Sequence, residues 1–478
     1  MKDYFSVHNH SEFSNIKIID SINRADRLVD YAWELGLSGL VMTEHDCVSG
    51  SIKVIESFRK KLVKEYKNKY PDVEFKENDE FYAMAAKDLE FKVCLGNEIY
   101  LSEEGTNSST EQPHFWHLIL IAKDAEGFKQ IKQLSSAAWK RSWFKAIQRT
   151  PTYPSDLFQY VQGGHLIAST ACLGGYAAWC WKMMQEDREF YTAKLDNHLA
   201  AMEDLFGKGN FYIELQPNDE VYGVEQNAYN KFMIERYWGK YPFIFATDSH
   251  YLKAEEREVH KAFLNSKSSK DREVDDFYRY AYMMGQDEVR QLMSYVSDDQ
   301  FNQMVNNTHK IWSMCEYYPL EQNKVIAKVE YEHWDEYEED LQIFHEVTEE
   351  DYPNFYYYLT TDNKADHYLM ELIAHGYVNK YEDDWDDETY FARLEEELWT
   401  IREVGNKINQ SMSDYFTTIS KMVELMWQAG SLVGPSRGSA GALLINYLLD
   451  ITQMNPIKLD LPFVWRFMHP SRPDFPDK

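Results

Sequence analysis

The residues of this chain with the plainest chemical capacity stand at the ends of apolar runs. In SVHNHSEFS, His8 and His10 are two residues apart, so on an extended strand both imidazoles face one side and can hold one ion or two adjacent ions. ATDSHY repeats the device with Asp248 and His250. His45 in VMTEHD, Glu98 in CLGNEIY and Cys172 in IASTACLGG also follow β-rich runs. An isolated His-x-His is more often a surface or hydrogen-bonded pair than a metal site. Recurrence at several run ends is what points to a shared centre, because the carboxyl ends of barrel strands are where such folds assemble their sites. Asp20 in IKIIDSIN and His117 in FWHLILIA complete the set, each with a plainer alternative. Asp20 can cap the helix that follows, and His117 opens its run instead of closing it, the place of an ordinary core histidine. Imidazoles, carboxylates and a single thiol together suit Zn²⁺, Mn²⁺ or Fe²⁺, and clustered ions of this kind activate water and clamp a phosphoryl group. The implied reaction is phosphoester hydrolysis.

The elements that must position these groups are short and regularly spaced. YFSVHNH, SGLVMTEHD, FKVCLGNEIY, HLILIAKD, GHLIASTAC, NFYIELQP and FIFATDSHY read as strands to about position 252, with helical patterns such as INRADRLVDYAWELG between several of them. This is the grammar of an α/β barrel. A charged helical insertion from Phe58 to Lys76 and a polar loop from Ser102 to Pro113 interrupt it at the periphery. Beyond about 270 strands become scarce and acidic stretches appear at 330–351 and 382–388, so a domain boundary is expected between 265 and 290, taken at 275/276.

Composition bounds the rest. A chain of 478 residues, 44% hydrophobic and 15% aromatic, buries real cores. Its 50 Lys+Arg against 79 Asp+Glu, net −29, repel nucleic acid at long range, so any DNA contact must be local or shared with another polypeptide. Five cysteines without a CxxC pair, and no signal peptide or membrane-length apolar run, point to a reduced, soluble, cytoplasmic protein.

A second motif, VGPSRGSAG, is a glycine-rich turn leading into ALLINYLLDI. Its amides are expected at a helix N-terminus, where they can bind an anion with Arg437 and Ser439 as added donors; an ordinary glycine-rich cap is the plainer reading.

HNHSEF, TEHD, GNEIY, HLILIAKDAEGFKQIKQLSSAAW, ACLGG and DSHYL, in this order, resemble the PHP (polymerase and histidinol phosphatase) domain at the N-terminus of the bacterial DNA polymerase III alpha subunit. RLEEELWTIREVG, DYFTTISKMVELMWQAGSLVGPSRGSAGALLINYLLDIT and NPIKLDLPFVWRFMHPSRPDFPD resemble the first part of that family's palm. The resemblance implies a PHP-type (β/α)7-like distorted barrel over 1–275, followed over 276–478 by an α+β partial polymerase palm. It implies metal ligands at His8, His10, Asp20, His45, Glu98, His117, Cys172, Asp248 and His250, holding Zn²⁺ or Mn²⁺. Asp20 stands slightly farther from His10 than the family's usual spacing. It also implies triphosphate contacts at Gly434, Ser436, Arg437, Gly438, Ser439 and Arg466, with Ser436 where the family more often has glycine. The family's catalytic carboxylate pair, which holds Mg²⁺, follows a Pro-Asp like Pro476–Asp477 at once, so it is expected just beyond Lys478. The implied partners are primer-template DNA, deoxynucleoside triphosphates, a C-terminal polymerase half and, through later segments, a sliding clamp, with no membrane. The function expected is therefore the N-terminal portion of a replicative C-family polymerase, bacterial or phage, with 3′-5′ exonuclease or phosphoesterase capacity in the PHP domain. A non-catalytic scaffold half of a split polymerase and a free-standing PHP phosphatase are the alternatives.

Overall fold

The computed structural model describes residues 2–266, 276–320, 326–329, 337–463 and 468–471, which form two compact units, Met1–Glu321 and Gln322–Lys478. In the first, runs rich in β-branched, leucine and aromatic residues become β1 (Gly39–Met42), β2 (Lys92–Leu101), β3 (Trp116–Ala122), β6 (Leu166–Ser169), β7 (Phe211–Leu215) and β8 (Phe243–Phe245), hydrogen-bonded in that order. β4 (Trp143–Lys145) and β5 (Ile147–Arg149) form a separate hairpin. The pairs β1–β2, β6–β7 and β7–β8 are parallel, whereas β3 runs antiparallel to both β2 and β6. The N-terminal segment draws the curled sheet together through parallel bridges of Ser6 to Leu40 and of Asn9 to Ser249. All seven expected runs thus contribute, the first by isolated bridges only.

Strand alternation sorts the side chains. Val41, Cys94, Ile119, Ile121, Ile167 and Ile244 cluster with Phe5 and Val7 inside, while Leu40, Val93, Leu95, Leu118, Leu120, Phe243 and Phe245 join the outer core under the helices. The inward apolar residues precede the candidate ligands on the parallel strands and follow His117 on β3, so the apolar plug and the ligands occupy opposite ends of one interior.

The expected boundary at 275/276 moves to 321/322 because the plug is finished by later residues. Helix Asp298–Met314 contributes Ile311, and Cys315 follows it into the same cluster. Phe5 N donates to Thr308 Oγ1 (3.1 Å), Asn307 Nδ2 to Phe243 O (2.8 Å), and Lys92 Nζ to Trp312 O (2.8 Å) and Cys315 O (2.7 Å). The charged insertion is helical at Ser51–Lys69, seven residues earlier than expected at each end. The polar loop 102–113 is irregular and tied down where Tyr153 OH donates to Thr106 O (2.5 Å).

The second unit was expected as α+β. Its described residues contain no strand; helices Pro353–Thr360, Lys364–Lys380, Asp387–Ile408, Ser413–Gln428 and Leu444–Leu448 surround a core of Leu369, Ile373, Leu394, Leu398, Phe416 and Leu448. No helix among the described residues is long and apolar enough to cross a membrane, and all five cysteines are free and buried.

Asn9 ties the first strand to its neighbours: Nδ2 donates to Ser6 O (3.1 Å) and Val41 O (3.0 Å), and Oδ1 accepts from Ser6 Oγ (3.0 Å) and Ser249 Oγ (2.8 Å). Asn9→Ala strands these buried groups and should cost about 2–4 kcal/mol. The expected readout is a lower urea midpoint for the barrel unit; an unchanged midpoint would place closure elsewhere.

Candidate metal centre

The end of the barrel opposite the plug collects all nine predicted ligands. β2 places Glu98 and Tyr100 inward by alternation from Cys94, and β3 places His117 inward by alternation from Ile119. Because β3 runs opposite to its neighbours, its first residues lie beside the last residues of β2, with Trp116 paired to Leu101 and His117 to Tyr100. That reversal puts His117 at the site although it opens its strand. At the strand exits the chain turns through left-handed residues, Asp46 (φ 47), Ala171 (φ 59) and Asp248 (φ 47). Such backbone is uncommon outside glycine, and here it lies next to His45, next to Cys172 and at a ligand itself.

The donor atoms interlock. His8 Nε2 lies 3.0 Å from His10 Nε2 and 3.1 Å from Asp248 Oδ1; His10 Nε2 lies 3.2 Å from the same oxygen. Glu98 reaches His117 Nδ1 with Oε1 (2.6 Å) and His45 Nδ1 with Oε2 (2.5 Å). Asp20 Oδ2 sits between His45 Nε2 (2.7 Å) and His250 Nε2 (2.9 Å), and Cys172 Sγ is 3.4 Å from His117 Nδ1. Asp20 is thus in the cluster, not capping a helix. Three overlapping sets of convergent donors result: His8, His10 and Glu98; His10, His45 and His250; Glu98, His117 and Cys172.

The donor set fits metal ions. Asp20 Oδ1, Asp248 Oδ1 and both oxygens of Glu98 are buried without a hydrogen bond, Glu98 despite its two close ring nitrogens. Buried carboxylate oxygens left in that state are costly unless a cation completes them. Burial holds His10 neutral, lowering it to about 3 with His45 and His250 adding repulsion. For His8, burial works the same way but is outweighed by Asp248 and Glu214, which lift it to about 10; for His45, Glu98 and Asp20 do the same, again to about 10. Burial, then Asp248 and Glu98, hold the Cys172 thiol well above its usual range. A bound cation reverses this balance by favouring the deprotonated ligands.

Sequence reasoning missed the groups that orient the ligands. Glu214 on β7 lies 2.7 Å from His8 Nδ1 and accepts from Ser169 Oγ (2.5 Å). Tyr100 OH is 3.0 Å from His45 Nδ1, and Ser14 Oγ 3.1 Å from His10 Nδ1. A lone acidic residue in the apolar run FYIEL was the available signal for Glu214.

In the second unit, Gly434, Ser436, Arg437, Gly438 and Ser439 line one cleft of about 580 Å³ with Met422, Met426, Asn446 and Thr452. Gly438 has φ +55. The expected helix over ALLINYLLDI is only Leu444–Leu448, and its N-terminal amides are not open to a ligand. Leu444 N and Ile445 N donate to the buried Glu397 carboxylate (2.8 and 2.9 Å), which Arg393 Nε also engages (2.7 Å). Anion binding by the helix end is thereby corrected; the turn and Arg437 remain at the cleft. Arg466 lies outside the described residues.

Residues 6–218 match the family model for the PHP domain. The barrel is similar to a PHP domain over those residues. Residues 367–478 match the bacterial DNA polymerase III alpha NTPase domain, so one chain carries both matches. The chain is similar to a DNA-directed DNA polymerase of Bacillus phage SPbeta, 33% identical over 494 aligned residues that cover 98% of this chain and 36% of that protein. The DNA polymerase III alpha subunits of Aquifex aeolicus (25%) and Campylobacter jejuni (26%) align over 100% of this chain and 36% of theirs. The chain thus spans about a third of the length of these relatives, matching them in their N-terminal part. A crystal structure of a candidate metal-dependent phosphoesterase from Bifidobacterium adolescentis overlaps at a TM-score of 0.24 and 12% identity, over 62% of this chain and 96% of that one, too loosely to bear on the fold.

Because His8 and His45 hold protons to about pH 10 in the metal-free barrel, metal binding at pH 7.5 must displace them. Calorimetric titration with Mn²⁺ in buffers of different ionisation enthalpy should show release of about one proton from His8 and one from His45 as their two ions bind, fading as pH approaches 10. Heats independent of the buffer at pH 7.5 would contradict the ligand assignment.

Proposed function

We propose that this chain is the N-terminal portion of a replicative C-family DNA polymerase whose PHP centre hydrolyses phosphoester bonds at DNA 3′ ends. The observation that carries this reading is the convergence of seven of the nine expected ligands in overlapping donor sets, with Asp20 and Asp248 alongside and four carboxylate oxygens of Asp20, Asp248 and Glu98 left without a hydrogen bond. His8, His10, Glu98 and Asp248 would hold one ion, Asp20, His45 and His250 another, and Glu98, His117 and Cys172 a third. The mixed donors favour Zn²⁺ or Mn²⁺. Bound there, the ions would supply Lewis-acid stabilisation of phosphate and a water of lowered pKa. The chain's own residues shape access: His117 is 23% exposed while the other ligand side chains are almost fully buried, so substrate would arrive from the His117 side. Asp248→Asn should retain the fold and reduce metal-dependent release of 3′ nucleotides at least about 100-fold, measured on a labelled oligonucleotide. Release that persists belongs to another site or a contaminant.

The glycine-rich cleft would take the triphosphate of an incoming nucleotide, with Arg437 as its charged donor. Among the described residues no carboxylate lines this cleft, so the Mg²⁺ that nucleotidyl transfer needs would be held by other carboxylates. Primer-template DNA, a polypeptide carrying those carboxylates and, through it, a sliding clamp would be the partners. Residues 1–478 should bind a fluorescent deoxynucleoside triphosphate without extending a primer, and Arg437→Ala should weaken that binding about tenfold. Extension by these residues alone, or unchanged affinity in the variant, would overturn this assignment.

A further inference from the structure

In a chain of net charge −29, the stretch from Gly127 to Ser155 contains Lys129, Lys132, Lys140, Arg141, Lys145 and Arg149 and no acidic residue. The structure sets four of these cations at one groove and the other two on the hairpin that follows it. Lys129, Lys132, Lys140 and Arg141 line a groove of about 540 Å³ with Tyr160, none of whose lining residues is acidic. Lys129 pairs with Glu126 (3.2 Å) and Arg141 with Asp156, whereas Lys132, Lys140, Lys145 and Arg149 form no ion pair among the described residues. Along helix Ala125–Lys140 the step from Lys129 to Lys140 covers about 16 Å, room for a few nucleotides.

The groove leads into the β4–β5 hairpin, and the hairpin leads to the metal centre. Its register pairs Trp143 with Arg149 and Lys145 with Ile147, so these four share one face. That face packs beside Phe115: the rings of Phe115 and Trp143 are 6.0 Å apart, and the Arg149 guanidinium lies 5.1 Å from the Phe115 ring. Phe115 is two residues before His117, the one ligand open to solvent. After the hairpin, Thr152 N donates to Tyr100 O (2.9 Å), fixing it to the strand that carries Glu98. Phe144, 75% exposed, is on the opposite face.

We infer that the Lys129–Arg141 groove and the Trp143–Arg149 face of the hairpin form a binding track for single-stranded DNA, ending at His117. The inference rests on the phosphoesterase reading above and names its substrate form. Cations without carboxylate partners suit a phosphate backbone, and aromatic faces suit unstacked bases. The deeply buried ligands exclude a duplex end, which favours a frayed 3′ strand.

The test is fluorescence anisotropy of labelled dT12 on the full chain in low salt. Trp143→Ala/Arg149→Ala should bind about tenfold more weakly, Trp143→Phe should restore most of the aromatic share, and Phe144→Ala should stay within about twofold of the parent. Lys132→Ala/Lys140→Ala/Lys145→Ala should reduce the slope of log affinity against log salt by about 2. No binding of dT12, parental affinity in the double variant, or an unchanged slope would overturn the track. Equal affinity for a blunt duplex would overturn the single-strand assignment, and competition by polyglutamate as strong as by dT12 would point to an acidic protein partner instead. Binding is read apart from hydrolysis: a protein that binds but never cleaves sinks the phosphoesterase reading alone, and one that cleaves without this binding sinks the track.

Discussion

Four carboxylates, Asp20, Glu98, Glu214 and Asp248, are buried around one cluster of histidines, and the rest of the barrel depends on compensating them. An ionised carboxylate removed from water costs several kcal/mol unless cations or donors replace its hydration. The histidines are interleaved accordingly, with His8 between Glu214 and Asp248, and His45 between Asp20 and Glu98. Without metal, protons on His8 and His45 supply part of the counter-charge; with metal, the ions supply more of it and the rings become neutral ligands. Neighbouring hydroxyls hold the frame in place: Ser169 on Glu214, and Ser11 and Ser14 on Glu44, whose oxygens are thereby used up beside the site.

Sheet direction and backbone strain serve this cluster. The reversal of β3 brings Glu98 and His117 within 2.6 Å, which a parallel strand with the same sequence would place at opposite ends of the interior. Left-handed exits after β1, β6 and β8 turn the chain where the ligands must converge, at an expected cost on the order of 1 kcal/mol each. Strain kept at three strand ends around one ligand cluster marks where the fold sacrifices stability for geometry.

The second unit treats charge differently. One of its buried carboxylates, Glu397, is spent inside the fold, accepting helix amides and the Arg393 guanidinium, so it fixes the approach to the glycine-rich turn instead of presenting charge to a ligand. The cleft is left with Arg437 and apolar walls from Met422 and Met426. Buried negative charge thus gathers at one end of the barrel, whereas the cleft is lined by a cation and apolar side chains.

What the sequence alone determined was what depends on near neighbours along the chain. Period-two alternation and apolar runs located the seven strand segments, and ligand types at their ends pointed to seven of the nine side chains that converge at one end of the barrel, because side-chain parity and local composition are carried by contiguous residues. The family resemblance, not spacing, secured Asp20 and His117. Tertiary structure decided the rest. The direction of β3 depends on which edges it pairs with, the boundary at 321/322 on a helix that fills the barrel from fifty residues past the last strand, and the fate of the amides at Leu444 on Glu397, forty-seven residues away. Each is settled by which distant group satisfies a buried surface or an unpaired hydrogen bond, and no stretch of sequence carries that choice by itself.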